Sequence, residues 1–204
     1  GDTISSPSHL KNGELMTFDR VIANPPFSLK KWGKKSADND LFGRFKYGTP
    51  PKDYGELAFL QHMIASCNND GIIACVMPYG VLFRGSSEKK IRKGLIEDDL
   101  IESIIGLPPD LFYGTGIPAC VVVINKNKQK NRKDKIIFIN SENDYEEDGN
   151  RNRITIESIK KIIKYYKDYQ NLTIPKTTDR YGKNFSKIIS KEEIIENDYN
   201  LNIR

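Results

Sequence analysis

The sequence is poor in the residues that staple small proteins or hold metals in them. Its three cysteines, Cys67, Cys75 and Cys120, are odd in number, lie in apolar surroundings and form no CxxC pair. That excludes a disulfide framework and a thiolate metal site, and the three read as core thiols. The two histidines, His9 and His62, are far apart, so no zinc constellation or other metal site is expected and neither stands out as a base. No apolar run approaches the roughly 20 residues of a membrane span. The N-terminus has neither a basic leader nor an apolar signal core. These absences predict a cytoplasmic protein with no membrane partner. At 204 residues and 38% hydrophobic, the chain can bury one substantial core with an appendage.

A strong excess of one charge is also missing, since the net charge is only +5. The charge is unevenly spread. Between Ser28 and Lys52, seven basic residues (Lys30, Lys31, Lys34, Lys35, Arg44, Lys46 and Lys52) face only Asp38 and Asp40. Between Lys126 and Lys135, six face only Asp134. The second segment lies between two apolar runs and reads as a solvated hairpin tip. In the first, Trp32, Phe42, Phe45 and Tyr47 are interleaved with the charges. Charge for phosphates and flat faces for bases are what a strand-tracking nucleic-acid groove needs. The segment also lacks clear periodicity, and loops that long in compact domains tend to be functional or disordered.

Along the chain, apolar runs and helical patterns alternate. The spacing Asp53 to Glu56 predicts a capping box opening a helix to about Ser66, with Leu57, Leu60, Ile64 and Cys67 on its face. Ile72 to Met77 is a continuous apolar strand, a pattern typical of coverage on both faces. Ser86 and Ser87 cap a helix bearing Ile91 and Leu95, and strands follow at Leu100 to Ile105, Ala119 to Ile124 and Ile136 to Ile139, the last pair joined by the Lys-rich turn. This alternation predicts an α/β sheet with right-handed crossovers, whose ligands bind at the carboxyl ends of its strands. After about Asp148 the character becomes helical. Thr155 can cap a helix with Ile156, Ile159, Ile163 and Tyr166 on one face, and Ser190 to Glu193 forms a second capping box before Ile194 and Ile195. Such a tail either packs on the main domain or presents an amphipathic surface to a partner.

One run ends abruptly: Val21-Ile22-Ala23 stops at Asn24-Pro25-Pro26-Phe27. Two prolines end strand pairing and prevent a helix from starting within the turn. Asn24 and Pro25 alone read as an ordinary strand end with a turn. All four residues make a stiff lip with an amide, an unpaired carbonyl and a ring. A ring-conjugated amine such as that of adenine is a poor nucleophile, and accepting both its hydrogens in fixed geometry localises the lone pair. The Asn24 oxygen and the Pro25 carbonyl are suited to this, with Phe27 stacking on a base extruded from its duplex.

The stretch "FDRVIANPPF" is similar to the catalytic motif of amino-directed DNA methyltransferases. With "YGTPPKDYGELAFLQHMIAS", the run from Tyr79 to Lys128 and "ENDYNLNI", nearly the whole chain resembles the modification subunit of type I restriction–modification systems. The resemblance implies N6-adenine methylation with S-adenosylmethionine as cofactor. It also implies DNA, a specificity subunit, a restriction subunit and a second modification subunit as partners. Carried over by position, Asn24, Pro25, Pro26 and Phe27 are catalytic, Phe27 and Phe112 sandwich the base, and Asp2 contacts the cofactor's adenine. Lys30, Lys31, Lys34, Lys35, Arg44 and Lys46 are the candidate DNA contacts.

The implied fold is the second half of a Rossmann-like S-adenosylmethionine-dependent methyltransferase sheet over residues 1–148, with a C-terminal helical tail over 149–204 available for subunit docking. The family's helical domain and glycine-rich cofactor loop find no counterpart here. Gly114-Thr115-Gly116 precedes a strand and reads as a turn. On this reading the chain is an incomplete fragment, inactive alone, with the strand before Asn24 deprived of its outer neighbours. Two other readings stay open: a scaffold that only docks to a specificity subunit, and a methyltransferase acting on a protein glutamine amide, where a related lip has tyrosine in place of Phe27.

Overall fold

The computed structural model describes residues 1–112, 116–149, 151–171, 173 and 184–202. The expected turn at Gly114-Thr115-Gly116 falls largely outside the described residues. The chain opens with a small ladder of β1 (Leu10–Lys11) and β2 (Glu14–Leu15), then β3 (Phe18–Ala23), α1 (Lys34–Asp38), α2 (Glu56–Ala65) and β4 (Cys67–Pro78). Next come α3 (Ser86–Glu97), β5 (Ile101–Gly106), β6 (Ala119–Asn125) and β7 (Lys135–Asn140). The hairpin of β8 (Glu146–Asp148) and β9 (Arg151–Arg153) precedes α4 (Ile156–Gln170), β10 (Ser186–Ser190) and α5 (Lys191–Glu196). Among the described residues no helix is long and apolar enough to cross a membrane.

Six strands form one sheet in the order β10-β7-β5-β6-β4-β3. β3 with β4 and β5 with β7 are parallel, whereas β6 is antiparallel to both its neighbours and β10 is antiparallel to β7. The sheet is therefore mixed. The period-two geometry of a strand sends alternate residues to opposite faces. Ile73, Cys75 and Met77 accordingly join the core beneath α2 and α3, while Ile72 and Val76 join the one beneath α4. The three cysteines are free and buried; burial pushes the Cys75 thiol up to about 12, which leaves it inert.

Several expectations are corrected. β6 and β7 are not a hairpin, because β5 pairs with both and lies between them. The Lys-rich segment joining them is not simply a solvated tip. Lys128 reaches Asp99 at 2.6 Å, and Arg132 pairs with the fully buried Glu102, which also accepts from Asn125 and from Tyr166 on α4. Asp53 caps nothing at α2, whose N-cap is Gly55 without a side-chain bond. A Cβ on Gly55 would lie 2.6 Å from the Trp32 ring, so only glycine permits this approach. Neither serine caps α3 through its side chain, and the N-cap is Gly85. Thr155 and Ser190 do cap α4 and α5, accepting from Ser158 N and Glu193 N. The expected apolar face of α4 points outward, however. Ile156, Ile159 and Ile163 are exposed, Tyr166 alone of that face is half-buried against the core, and Ser158, Tyr165 and Tyr169 are the buried residues. Nor is the tail purely helical, because β10 completes the sheet and Ile194 and Leu201 enter its core.

β3 occupies the other edge, where Ile22 is 83% exposed. Unpaired edges with apolar side chains associate. This chain at increasing concentration is expected to show rising weight-average mass in sedimentation experiments, and Ile22→Lys to suppress the rise. A monomer at all concentrations would mean that the β3 edge is blocked in solution.

Candidate active site

β3 delivers the lip to the carboxyl end of its strand, the end at which open α/β sheets bind ligands. Pairing with β4 stops at Ala23, and beyond Asn24 the prolines at 25 and 26 offer no backbone donor with which to resume it. Pro25 is buried, whereas Asn24 and Pro26 are exposed. Among the described residues neither the Asn24 side chain nor the Pro25 carbonyl has a hydrogen-bond partner. Asn24 lines a cleft of about 670 Å³, within the range of small-molecule sites. Asp2, Trp32, Phe59, His62 and Met63 are also in its wall.

The lip is held from behind. Ser28 adopts the left-handed region at φ 51°, and its N–H donates to Glu56 Oε1 at 2.7 Å. Glu56 is fully buried; its spacing from Asp53 predicts a capping box, whereas it anchors the exit of the lip. Phe27 and Phe112 come together from distant parts of the chain, edge to face with centroids 5.7 Å apart. The rings fill each other's space, so no slot for a base stands open between them. Asp2 accepts from Ile4 N and Ser5 N, and these bonds, led by Ser5, hold its carboxyl below the usual range.

The basic segment divides. Lys30, Lys31 and Lys35 are exposed and in no ion pair among the described residues. Lys34 pairs with Asp38, and Lys46 with Asp98. Arg44 is a correction: it is 5% exposed and bonded to Asp40, to the carbonyls of Thr3 and Ile4, and to His62 Nδ1 at 3.3 Å. No donor of it is left for a phosphate. The interleaved aromatics also turn inward. Trp32 is 2% exposed and forms a small core with Ile4, Ala37 and Ala58. Phe42 and Phe45 flank the Arg44 guanidinium, each 5.3 Å away. Tyr47 presses onto Gly94 of α3, where a Cβ would meet its ring at 2.2 Å. This segment is a packed cover for α2 and α3.

The sequence profile described as N-6 DNA methylase matches residues 1–204. The chain belongs to this family. It is 37% identical to the type I restriction enzyme MjaVII methylase subunit of Methanocaldococcus jannaschii, over 100% of this chain and 34% of that protein. The crystal structure of a type I restriction-modification methyltransferase subunit from Streptococcus thermophilus superposes with a TM-score of 0.83 at 36% identity, over 98% of this chain and 40% of the other. A Listeria monocytogenes protein assigned to the class I S-adenosylmethionine-dependent methyltransferases shares the fold, with a TM-score of 0.52 at 17% identity, over 78% of this chain and 44% of the other. The chain thus spans between a third and a half of the length of these three proteins, and within this family the Asn24 lip and its cleft lie on a methyltransferase sheet.

No local pattern marks His62, and the capping-box spacing gives Glu56 the wrong partner. Helical spacing from Leu57 and Leu60 marks the apolar face of α2, but only the tertiary approach of Arg44 and Ser28 gives its polar residues their roles. Removing one partner of a buried pair leaves the other charge uncompensated. Asp40 and Arg44 side chains are 6% and 2% exposed, so Arg44→Met is expected to lower the unfolding free energy in urea by about 3–5 kcal/mol. A loss under about 1 kcal/mol, the scale of a surface pair, would mean that the pair is solvated.

Proposed function

We propose that the full-length protein methylates the N6 amine of adenine in DNA, taking the methyl group from S-adenosylmethionine, as the modification subunit of a type I complex. The specificity subunit, the restriction subunit and a second modification subunit are its proposed partners. The observation that carries this reading is the pair of unpartnered acceptors, the Asn24 amide oxygen and the Pro25 carbonyl, on the rim of a cleft sized for a ligand. They accept the two hydrogens of the amine, so that its lone pair is freed toward the methyl group. When bound, S-adenosylmethionine would supply the methyl group from its sulfonium and leave as the thioether; the Asn24 oxygen and the Pro25 carbonyl would hold the amine toward it, and the methylated amine would give up one proton to water. No covalent enzyme intermediate is needed, and the rate gain is positional and electrostatic. Family membership supports the reaction, and the 36–37% identical methylase and methyltransferase subunits support the assembly.

In the full-length enzyme Asn24→Ala is expected to abolish methyl transfer while leaving cofactor affinity nearly unchanged, as read by a tritium-transfer assay beside calorimetry. Wild-type turnover in that variant would remove the lip from the mechanism. For a flipped base, Phe27 parts from Phe112 and stacks on it. Phe27→Ala should weaken binding to DNA with a mispaired adenine by about 1–3 kcal/mol.

The proposed DNA contacts are Lys30, Lys31, Lys34, Lys35 and Lys46, Arg44 being excluded by its burial. Neutralising Lys30, Lys31 or Lys35 singly should lower the slope of log affinity against log salt by about 1, uniformly across sequences. An unchanged slope returns these lysines to a solvated surface.

A further inference from the structure

His62 stands in the wall of the cleft that also holds Asn24 and Asp2, and the surroundings of its ring fix what it can offer a ligand. Its Nδ1 lies 3.3 Å from Arg44 Nη1. A guanidinium has donors only and does not lose its proton, so this contact requires a lone pair on Nδ1. In the neutral ring the single proton is then on Nε2. Charging the ring would turn a second N–H against the guanidinium. Burial first, and then Arg44, lower the pKa of the imidazole to about 4; Asp40 acts in the opposite direction and His9 adds to the depression. The ring therefore remains neutral across the physiological range as a fixed Nε2–H donor, and among the described residues nothing accepts from that nitrogen.

Asp2, ionised, can only accept, whereas Nε2–H can only donate. A ligand satisfying both must show a donor and an acceptor on one polar edge, and the apolar walls at Trp32, Phe59 and Met63 suit a flat ring between them. An aminopurine has that pattern: an exocyclic amine and ring-nitrogen lone pairs. We propose that His62 is a specificity-determining residue of the cleft, its Nε2–H donating to a ring nitrogen of the cofactor's adenine, with Arg44 as the positioning residue that fixes the tautomer. This rests on the proposed use of S-adenosylmethionine, and takes the cleft lined by Asp2 as the site of its adenine.

The test uses the full-length protein and calorimetric titration with S-adenosylhomocysteine and its three analogues in which N1, N3 or N7 of the purine is replaced by CH. For wild type, one analogue is expected to bind about five- to tenfold more weakly than the parent, the size of one net hydrogen bond. His62→Phe should lose the same factor toward the parent and cease to distinguish that analogue. His62→Gln, which keeps an N–H, should recover part of the loss, separating the donor from a packing effect. Nitrogen NMR of the ring should show the Nε2–H tautomer between about pH 5 and 8.

Parent affinity in His62→Phe equal to wild type would overturn the assignment, as would an Nδ1–H tautomer. Normal cofactor affinity combined with lost methylation in that variant would move the donor to the target base and also overturn it. Failure of Asn24→Ala to affect transfer would bring down the lip reading but leave these binding results standing. Failure of wild type to bind S-adenosylhomocysteine would bring down the cofactor reading, and the assignment with it.

Discussion

Every nitrogen of the Arg44 guanidinium is engaged within the protein. Nε bonds Asp40, Nη1 bonds the Thr3 carbonyl and His62, and Nη2 bonds the Ile4 carbonyl. One buried cation thereby joins the N-terminal segment carrying Asp2, the cover over residues 28–52 and helix α2. Lysine could not replace it, because a single ammonium lacks the planar fork that serves three directions together. The wall of the cleft depends on this junction. Without it, two backbone carbonyls and a carboxylate would lose their partner, and buried groups left so are strongly destabilising.

The sheet contributes placement. β4 from Ile72 to Met77 and β6 from Ala119 to Ile124 are continuously apolar because helices cover both faces, and the two cores take alternate residues. That rigid pairing holds β3 on one side only, so Asn24 emerges at a fixed height beside the cleft. Among the described residues the acceptors there remain unpartnered, because the ladder has ended and the two prolines offer no donor. In an interior this arrangement would be costly. At the rim, where Asn24 is exposed, it leaves acceptors available to a substrate.

Glu56 shows how local and tertiary signals diverge. Three residues after Asp53, it has the spacing of a capping box, yet the helix starts at Glu56 itself and its carboxylate turns to Ser28. The same holds for the aromatics of the basic segment. Their interleaving with lysines has two solutions, a stacking surface or a small core, and Trp32 and Tyr47 take the second because Gly55 and Gly94 open room for their rings. On α4 the isoleucines at helical spacing lie outside, while the tyrosines, with hydroxyls able to reach Glu102 and the Lys135 carbonyl, are drawn inward.

The sequence by itself determined the positions of β3 to β7, the caps at Thr155 and Ser190, the inert thiols and the Asn24-Pro25-Pro26-Phe27 lip, since each depends on neighbours within a few residues: hydrophobic runs, a hydroxyl three positions from an N–H, prolines without donors. Only the tertiary structure decided the antiparallel place of β6, the entry of β10 into the sheet, the burial of Arg44 and the conjunction of His62 with Asn24 and Asp2. Those features depend on which distant segments meet. A charged or polar side chain carries no local mark of whether it will face water or a buried partner, because that is settled by the desolvation and pairing it encounters once the chain has closed around it.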